Sequence, residues 1–228
     1  MGRVVAIDGP SGAGKSTVSR LLAERLGFKY LDTGALYRAT ALYLRRKGLN
    51  ENSTDEEIKH ALDGFSITFK EERVFIKGSG NKSSTIGHLS DEDVSEIIRT
   101  TEIGHYASVF SARKVVRDFL LHIQRDMARE SDLVAEGRDM TTVVFPDAWK
   151  KFFITASEDE RARRRFEQLK DKGIDITINE AIRDVRERDK RDQERDIAPL
   201  RASKDAIIID TSNKKIEEVI EEMLSFIK

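Results

Sequence analysis

The chain has 228 residues, of which 36% are charged, and its 40 basic and 41 acidic side chains leave a formal net charge of −1. A protein that binds a nucleic acid polymer usually carries a basic surplus, so this balance argues against such a partner. Because the chain has no cysteine, disulfides, thiolate zinc sites and cysteine nucleophiles are excluded. No apolar run approaches the ~18 residues of a membrane span and no secretory signal is recognisable, so we expect a cytoplasmic protein without a membrane partner.

The predicted elements alternate between strands and helices. Residues 4–7 are continuously apolar, which is typical of a strand buried on both faces of a parallel sheet. Further strands are predicted at 30–32, 65–69, 73–77, 133–135, 151–154 and 206–210. Apolar periodicity and capping residues predict helices at 16–26, 34–47, after 53–55, at 111–130, 157–172, after the capping box 177–180, and at 215–227.

One pair of strands departs from this alternation. Segments 65–69 and 73–77 alternate polar and apolar residues with period two, which predicts an antiparallel hairpin with one face in water. The polar stretch 78–84 that follows predicts a loop. We therefore predict an α/β fold, with a single domain over 1–228, a parallel sheet flanked by helices, and a small inserted subdomain at about 62–100.

Residues 9–16 fit the pattern G-x-x-x-x-G-K-[ST] at every fixed position, and they lie between a predicted buried strand and a predicted helix. Glycines let successive N–H groups turn around a phosphate, and the following helix directs its positive end at the same anion. In this motif the lysine, Lys15, reaches the β- and γ-phosphates of ATP, and the Ser16 hydroxyl can bind Mg²⁺. The predicted ATP-binding residues are Gly9, Pro10, Ser11, Gly12, Ala13, Gly14, Lys15, Ser16 and Thr17.

A phosphate loop does not by itself separate kinases from GTPases or motor ATPases. The guanine-reading motif [NT]-K-x-D is absent from the sequence, and residues 133–136 are a poor match to the acidic strand of a motor ATPase. The distribution of arginine is more informative. Arginines near the expected strand ends occur at four places, which are 37–38, Arg99, 137–139 and 188–195.

In the last of these places, Arg188, Asp192 and Arg195 are spaced to share one helix face. Taken alone, such a charge run usually marks a solvated, salt-bridged helix. Beside a phosphate loop it favours a second phosphate as acceptor, because two polyanions repel each other and the arginine fork suits phosphate oxygens. A phosphate monoester, with a second pKa near ~6, also needs no strong general base, and the sequence shows no Ser–His or Cys–His pair.

Five segments carry a resemblance over essentially the whole chain. They are IDGPSGAGKST (7–17), LDTGALYR (31–38), DVSEIIRT (93–100), EGRDM with VVFPD (136–140 and 143–147), and ERDKRD with APL (187–192 and 198–200). Together they resemble the bacterial cytidylate kinases, P-loop kinases of nucleoside monophosphates. The resemblance implies ATP-dependent phosphorylation of CMP and dCMP with Mg²⁺, a monophosphate-binding subdomain at about 62–100, and a helical lid at about 157–195. We expect a monomer.

The resemblance also implies the roles of single residues. Ser108, Arg117 and Asp139 are expected to face cytosine, and the chemistry agrees, because a carboxylate can accept from the N4 amino group. Asp192 and Arg188, with Thr33 and Tyr37, are expected at the sugar. The residues assigned to the phosphates are Lys15, Arg38, Arg138, Arg188 and Arg195, and all of these except Arg38 are also the predicted catalytic residues. Arg99 completes the predicted substrate-binding set.

Two residues depart from the pattern of the family, and several of the assigned residues also allow another interpretation. Glu136 stands where many members have Asp, and Thr141 stands where many have Gly; both bear on loop geometry more than on substrate. Tyr37 could be a core aromatic, Ser108 an ordinary helical serine, and Arg99 a surface residue paired with a glutamate. For the whole chain, one alternative is a kinase of the same fold for another monophosphate, shikimate or dephospho-coenzyme A. The other is a regulatory protein that binds ATP without turnover.

Overall fold

The structure is a computed structural model that describes residues 2–70, 73–78 and 91–227. The loop predicted over 78–84 lies outside the described residues from position 79 onward, as does part of the subdomain predicted at 62–100. The chain divides into two compact units. The first unit comprises Met1–Asp32 with Gln124–Lys228, and the second comprises Thr33–Ile123.

Eight strands and eight α-helices are present in the described part of the chain. The strands are β1 (Val4–Asp8), β2 (Lys29–Asp32), β3 (Ser66–Lys70), β4 (Arg73–Lys77), β5 (Glu92–Asp93), β6 (Leu133–Glu136), β7 (Lys150–Thr155) and β8 (Ile207–Asp210). The helices are α1 (Lys15–Leu26), α2 (Thr33–Arg46), α3 (Asp55–Leu62), α4 (Thr101–Ser111), α5 (Lys114–Glu130), α6 (Glu158–Asp171), α7 (Ile178–Glu194) and α8 (Ile216–Ile227). A 3₁₀ turn covers Ile97–Arg99 and a π-helical turn covers Met140–Val144.

The first unit contains a five-stranded sheet of order β2-β6-β1-β7-β8, in which every neighbouring pair is parallel. All five residues of the central strand β1 are buried, as its continuous apolar run predicts. Apolar side chains of β1, β6, β7 and β8 form one core with those of α1 and α8. Each fully buried aliphatic side chain contributes about 1.5–3 kcal/mol. The predicted parallel α/β sheet flanked by helices is therefore confirmed.

The second unit contains the antiparallel sheet β3-β4-β5, whose first two strands are the predicted hairpin. The rings of Tyr43 and Phe65 stack with their centroids 4.1 Å apart, and Phe119 stacks on Phe65 at 5.9 Å. Helix α3 begins with a capping box, in which Thr54 and Glu57 bond each other's backbone N–H groups. The stacked rings and the capped helix stabilise this unit locally.

The helix predicted at 111–130 is partly wrong, because Ser111 ends a separate helix, α4, and α5 begins only at Lys114. Helix α4 was not predicted from the sequence. It contains Gly104, which lowers helix propensity and obscures the pattern. The structure explains this glycine, since a Cβ at position 104 would lie 2.9 Å from Nη1 of Arg38.

The prediction that Arg195 continues the helix face of Arg188 and Asp192 is also wrong. Helix α7 ends at Glu194, and Arg195 is extended, with φ −63° and ψ 140°. The chain then turns through Ala198, at φ 50°, directly before Pro199, whose ring disfavours helical backbone in the preceding residue. In the part of the chain that the structure describes, no helix is long and apolar enough to span a membrane.

Candidate active site

The loop between β1 and α1 is the predicted phosphate loop, and its backbone depends on glycine. Gly9, Gly12 and Gly14 have φ values of 150°, 78° and 87°, which L side chains rarely adopt. A Cβ on Gly9 would lie 1.9 Å from the carbonyl oxygen of Ile154, and one on Gly12 would lie 2.9 Å from that of Arg161. Both conformation and space therefore require glycine at these two positions.

The carbonyl oxygens of this loop are held by side chains from later in the chain. Arg161 donates to the carbonyl of Ser11 at 3.3 Å, and the Thr211 hydroxyl donates to that of Ala13 at 3.1 Å. Arg164 in turn donates to the backbone carbonyl of Thr211 at 2.8 Å. Sequence reasoning missed these three positioning side chains; the arginine density of α6 was visible, but its partners lie more than forty residues away.

Lys15 is the first residue of α1 and is buried. Its Nζ donates to the carbonyl oxygen of Pro10 at 2.7 Å, so the side chain lies across the loop. Burial lowers the pKa of Lys15 well below its usual value, and the charges of Arg138 and Arg188 lower it further, against the opposing charge of Glu136. Since these positive charges repel one another, a bound anion would relieve the repulsion.

Asp192 organises the arginines beside Lys15. Its Oδ2 accepts from Nε of Arg138 at 2.8 Å, and both side chains are mostly buried. Burial raises the pKa of Asp192, but the charges of Arg138, Arg188 and Arg195 outweigh this effect and hold the pKa below its usual value. Arg195 is fixed in addition by a bond from Nε to the carbonyl oxygen of Ala198 at 2.8 Å. The first unit thus brings together all four predicted catalytic cations around one carboxylate.

Two neighbouring carboxylates, one of which accepts a hydrogen bond from Ser16, lie where Mg²⁺ was predicted. Asp32 and Glu136 are register partners at the ends of β2 and β6. Burial raises the pKa of Glu136, as does the charge of Asp32, while Lys15 and hydrogen bonds from Tyr30 and Ser16 lower it. Among the described residues, no three His, Cys, Asp or Glu side chains could hold a metal together. One hydroxyl and two carboxylates nevertheless fit Mg²⁺, which binds oxygen and keeps several positions for water and substrate phosphates.

The sequence did not identify Asp32 or Glu136 as candidate ligands. The usable signal was their position, since both residues directly end parallel strands, and ligands of open parallel sheets bind at those ends. What the sequence lacked was the strand order, which alone makes β2 and β6 neighbours.

Gly137 directly follows β6, and Asp139 lies two residues further on and is buried. Its backbone has φ −148° and ψ 23°, and the π-helical turn begins at the next residue. The N–H of Gly137 donates to the carbonyl oxygen of Ile7 at 2.9 Å, which extends the pairing of β1 and β6 by one residue. The predicted base-reading residue therefore follows a strand that directly neighbours the central strand β1.

The second unit holds the other predicted substrate residues in two groups. In the first group, the Arg117 guanidinium is buried, lies 5.7 Å from the ring centroid of Tyr37, and donates to the carbonyl of Ser111 at 3.1 Å. The Ser111 hydroxyl donates to the carbonyl oxygen of Ser108 at 2.8 Å. Thr33 is the buried first residue of α2, the helix that also carries Tyr37.

In the second group, Arg38 of α2 donates through Nη1 to the carbonyl oxygens of Ile98 and Thr100, at 3.0 and 3.3 Å. These two residues flank Arg99, whose Nε donates to the carbonyl of Ser95 at 3.2 Å. The predicted site residues are thus divided between the units. Lys15, Arg138, Asp139, Arg188, Asp192 and Arg195 belong to the first unit, and Thr33, Tyr37, Arg38, Arg99, Ser108 and Arg117 belong to the second.

A phosphate loop after the central strand of a parallel sheet, with a lysine and three arginines gathered around one carboxylate in the same unit, defines a phosphotransferase of the P-loop class. Residues 5–228 match the family model for cytidylate kinase, and the chain belongs to this family. It is accordingly an enzyme that phosphorylates a nucleoside monophosphate.

Individual relatives are similar over nearly their full length. The chain is 55% identical over 224 residues to the cytidylate kinase of Thermodesulfovibrio yellowstonii, covering 96% of this chain and 95% of that protein. It is 46% identical to that of Thermosipho melanesiensis, covering 98% and 96% of the two chains. It is 47% identical to that of Geobacter sulfurreducens, covering 100% and 93%.

Proposed function

We propose that the protein transfers the γ-phosphoryl group of ATP to the 5′-phosphate of CMP or dCMP, giving ADP and CDP or dCDP. The choice of a phosphate acceptor is supported by the cluster of Lys15, Arg138, Arg188 and Arg195 around Asp192. One ATP bound by a P-loop does not need so many cations, whereas two polyanions brought together do. The choice of cytosine is supported by membership of the cytidylate kinase family.

In the proposed reaction, an ionised oxygen of the acceptor phosphate attacks the γ-phosphorus, and the bond from that phosphorus to the bridging oxygen of ADP breaks. The loop N–H groups and Lys15 hold the β- and γ-phosphates, while Arg138, Arg188 and Arg195 neutralise the charge that spreads over the transferring group. No side chain needs to remove a proton, because the acceptor phosphate is largely ionised at pH 7. Positioning and charge neutralisation then supply the catalysis.

Ser16, Asp32 and Glu136 would hold Mg²⁺ in this proposal. The ion would supply positive charge to the β- and γ-phosphate oxygens when it is bound. This proposal is supported by the hydrogen bond from Ser16 to Glu136 and by the pairing of Asp32 with Glu136 in the sheet.

For the acceptor, we propose that Asp139 accepts from cytosine N4 and that Arg117, with Ser108, donates to N3 or O2. Arg38 and Arg99 would serve the monophosphate, and Asp192, Thr33 and Tyr37 the sugar. The subdomain at about 62–100 would bind the monophosphate, and residues 157–195 would close over ATP to exclude water. The monomeric state and the cytoplasmic location stay predictions.

The test is an assay of ADP release with Mg-ATP and CMP, dCMP, UMP or AMP, each with a reaction that lacks acceptor as control. We expect fast turnover with CMP or dCMP and slow turnover with UMP and AMP. Turnover without preference for cytosine would refute the base assignment and redirect the search to other acceptors. ADP release that is independent of any acceptor would refute the transfer itself.

A further inference from the structure

Asp8 is a buried carboxylate that the proposed mechanism does not use. It is the last residue of β1, directly before Gly9, and its exposed fraction is 0%. Its Oδ1 accepts from the backbone N–H of Met140 at 2.9 Å. Its Oδ2 accepts from both the N–H and the hydroxyl of Thr141, each at 2.7 Å. Asp8 therefore receives three hydrogen bonds from one short segment.

These bonds continue the connection between β1 and β6 beyond the end of the sheet. Backbone pairing stops at the bond from Gly137 to Ile7, and the chain then turns through Asp139 into Met140–Val144. The first two N–H groups of this turn both go to Asp8. The conformation of the residue just before them is thereby fixed by a side chain of the neighbouring strand.

The hydrogen-bond pattern favours the charged form of Asp8. Two of the three groups facing the carboxyl group are backbone N–H groups, which can only donate, and the Thr141 hydroxyl donates to it as well. Burial raises the pKa of Asp8 to about 6, the bonds from Thr141 and Met140 oppose this rise, and the nearby charge of Asp139 adds to it. Asp8 is therefore ionised at neutral pH. Because it is fully enclosed, it can act on a substrate only through the segment it holds.

We propose that Asp8 is a positioning residue that sets the carboxylate of Asp139 for cytosine, with Thr141 as its second anchor. The inference rests on the proposed function, since it concerns the same base. Telling the N4 amino group of cytosine from the O4 oxygen of uracil requires an acceptor within hydrogen-bonding distance, and a misplacement of about 1 Å is enough to lose catalytic efficiency. Since Asp8 also precedes Gly9, one residue ties the base-reading turn to the start of the phosphate loop.

The direct test is Asp8→Asn, which keeps the size of the side chain but replaces one acceptor oxygen with a donor. We expect kcat/KM for CMP to fall at least about tenfold, because a hydrogen bond to a charged group is lost and a donor is left unpaired. The value for UMP should fall less, so that the preference for CMP over UMP narrows. The KM for ATP should stay within about twofold, which would show that the acceptor side is affected selectively.

Two further variants separate positioning from a loss of stability. Thr141→Val keeps the branched shape of the side chain and removes only the hydroxyl donor. The preference for CMP over UMP should therefore narrow by about threefold. Met223→Ala creates a cavity in the core under α8 and leaves the turn intact, so it should lower Tm without changing the preference. In an Asp139→Ala background, Asp8→Asn should narrow the preference no further, because the two residues act through one contact.

The outcomes distinguish this inference from the proposed function. A wild-type enzyme that does not prefer CMP to UMP would refute the proposed function, and the role of Asp8 with it. A preference that Asp139→Ala abolishes and Asp8→Asn preserves would overturn the role of Asp8 alone. If Asp8→Asn does not fold, Thr141→Val decides, and an unchanged preference in that variant would overturn the inference.

Discussion

At the scale of single residues, burial and neighbouring charges shift the pKa values of two ionisable groups in and beside the site. Lys15 is buried among positive charges that lower its pKa, and Asp8 is buried beside another carboxylate. Such groups lower the stability of the folded protein while they prepare it to bind a charged substrate. Their function can therefore be tested through stability as well as through activity.

Lys15→Met should separate these two effects. Removing the ammonium should lower kcat by about a hundredfold to a thousandfold, since a charge that acts on the transferring phosphoryl group is lost. The Tm without nucleotide should stay the same or rise, because methionine is buried without desolvation of a charge. Turnover and melting temperature of the same preparation provide the measurement. Near-normal turnover would remove Lys15 from the mechanism.

Asp8 should give the protein a characteristic dependence of stability on pH. Its pKa is raised from 3.8 to about 6 by folding, so between these values the folded state binds more protons than the unfolded state. Its contribution to the free energy of unfolding should therefore fall as pH rises through this window, by on the order of 3 kcal/mol, and stay constant above it.

Urea unfolding of the wild type and of Asp8→Asn at several pH values from 4 to 7.5 would measure this contribution. The stability of the wild type relative to the variant should fall as pH rises, since the variant lacks the titrating group. Parallel stability curves for the two proteins would show that Asp8 does not titrate in this range.

The sequence predicted the local part of the site and not the rest. The phosphate loop could be recognised because its glycines, Lys15 and Ser16 all lie within eight consecutive residues, and the backbone conformation they require is a local property. The role of Asp8 could not be recognised from the sequence, because its hydrogen-bond partners follow more than 130 residues later. The role of a buried aspartate at a strand end can be recognised only when the neighbouring strand is known.

At the scale of the elements, α4 shows how a helix can be shaped by a single contact. Gly104 lies in this helix against the Arg38 guanidinium, and a Cβ there would approach Nη1 to 2.9 Å and Nη2 to 3.0 Å. Elsewhere in a helix, replacing glycine with alanine usually stabilises by about 1 kcal/mol. At this position the alanine would instead displace the end of the Arg38 side chain.

We therefore expect Gly104→Ala to raise the KM for CMP several-fold while the KM for ATP is unchanged and Tm is unchanged or higher. The physical reason is that Arg38 would lose its bonds to the carbonyls of Ile98 and Thr100 and with them its fixed position. Thr40→Ser, a conservative change two residues from Arg38 on α2, is a suitable control. An unchanged KM for CMP would argue against a substrate role for Arg38.

The element predictions that failed did so for identifiable reasons. Helix α4 was missed because its glycine serves a tertiary contact, and the helical continuation of Arg195 was assumed across the residues before Pro199. In the first case the sequence pattern was overridden by a side chain elsewhere in the chain. In the second case it was overridden by the turn that directly follows the helix. The short strand β5 was also not predicted, since two residues show no periodicity. The other strands, and the helices apart from α4 and the start of α5, were predicted from burial patterns and capping residues that lie within each segment.

At the scale of the whole molecule, the formal net charge is only −1, yet Lys15 and three arginines concentrate positive charge around Asp192. Anions that bind this site only when the protein is folded should stabilise it, by RT ln(1 + [L]/Kd). We expect inorganic triphosphate at about a hundred times its Kd to raise Tm by roughly 5–10 °C, since that excess corresponds to about 2.7 kcal/mol.

Thermal melting at constant ionic strength, with sodium chloride as the reference salt, would test this expectation. Lys15→Met should weaken the rise, because it removes one of the cations that bind the anion. A Tm that responds equally to triphosphate and to chloride would show that the cation cluster is not a phosphate site.

The order of the strands has a consequence for how the chain folds as it is made. The central strand β1 pairs with β6 and β7, and β6 ends at Glu136. The backbone of β1 therefore has no partner strand in this sheet until about 136 residues have been synthesised, which takes roughly 7–27 s. Residues 33–123, which form a compact unit that is continuous in sequence, emerge during that interval. We therefore expect the phosphate loop, though it is encoded near the start of the chain, to acquire its structure only after residues 33–123 have emerged.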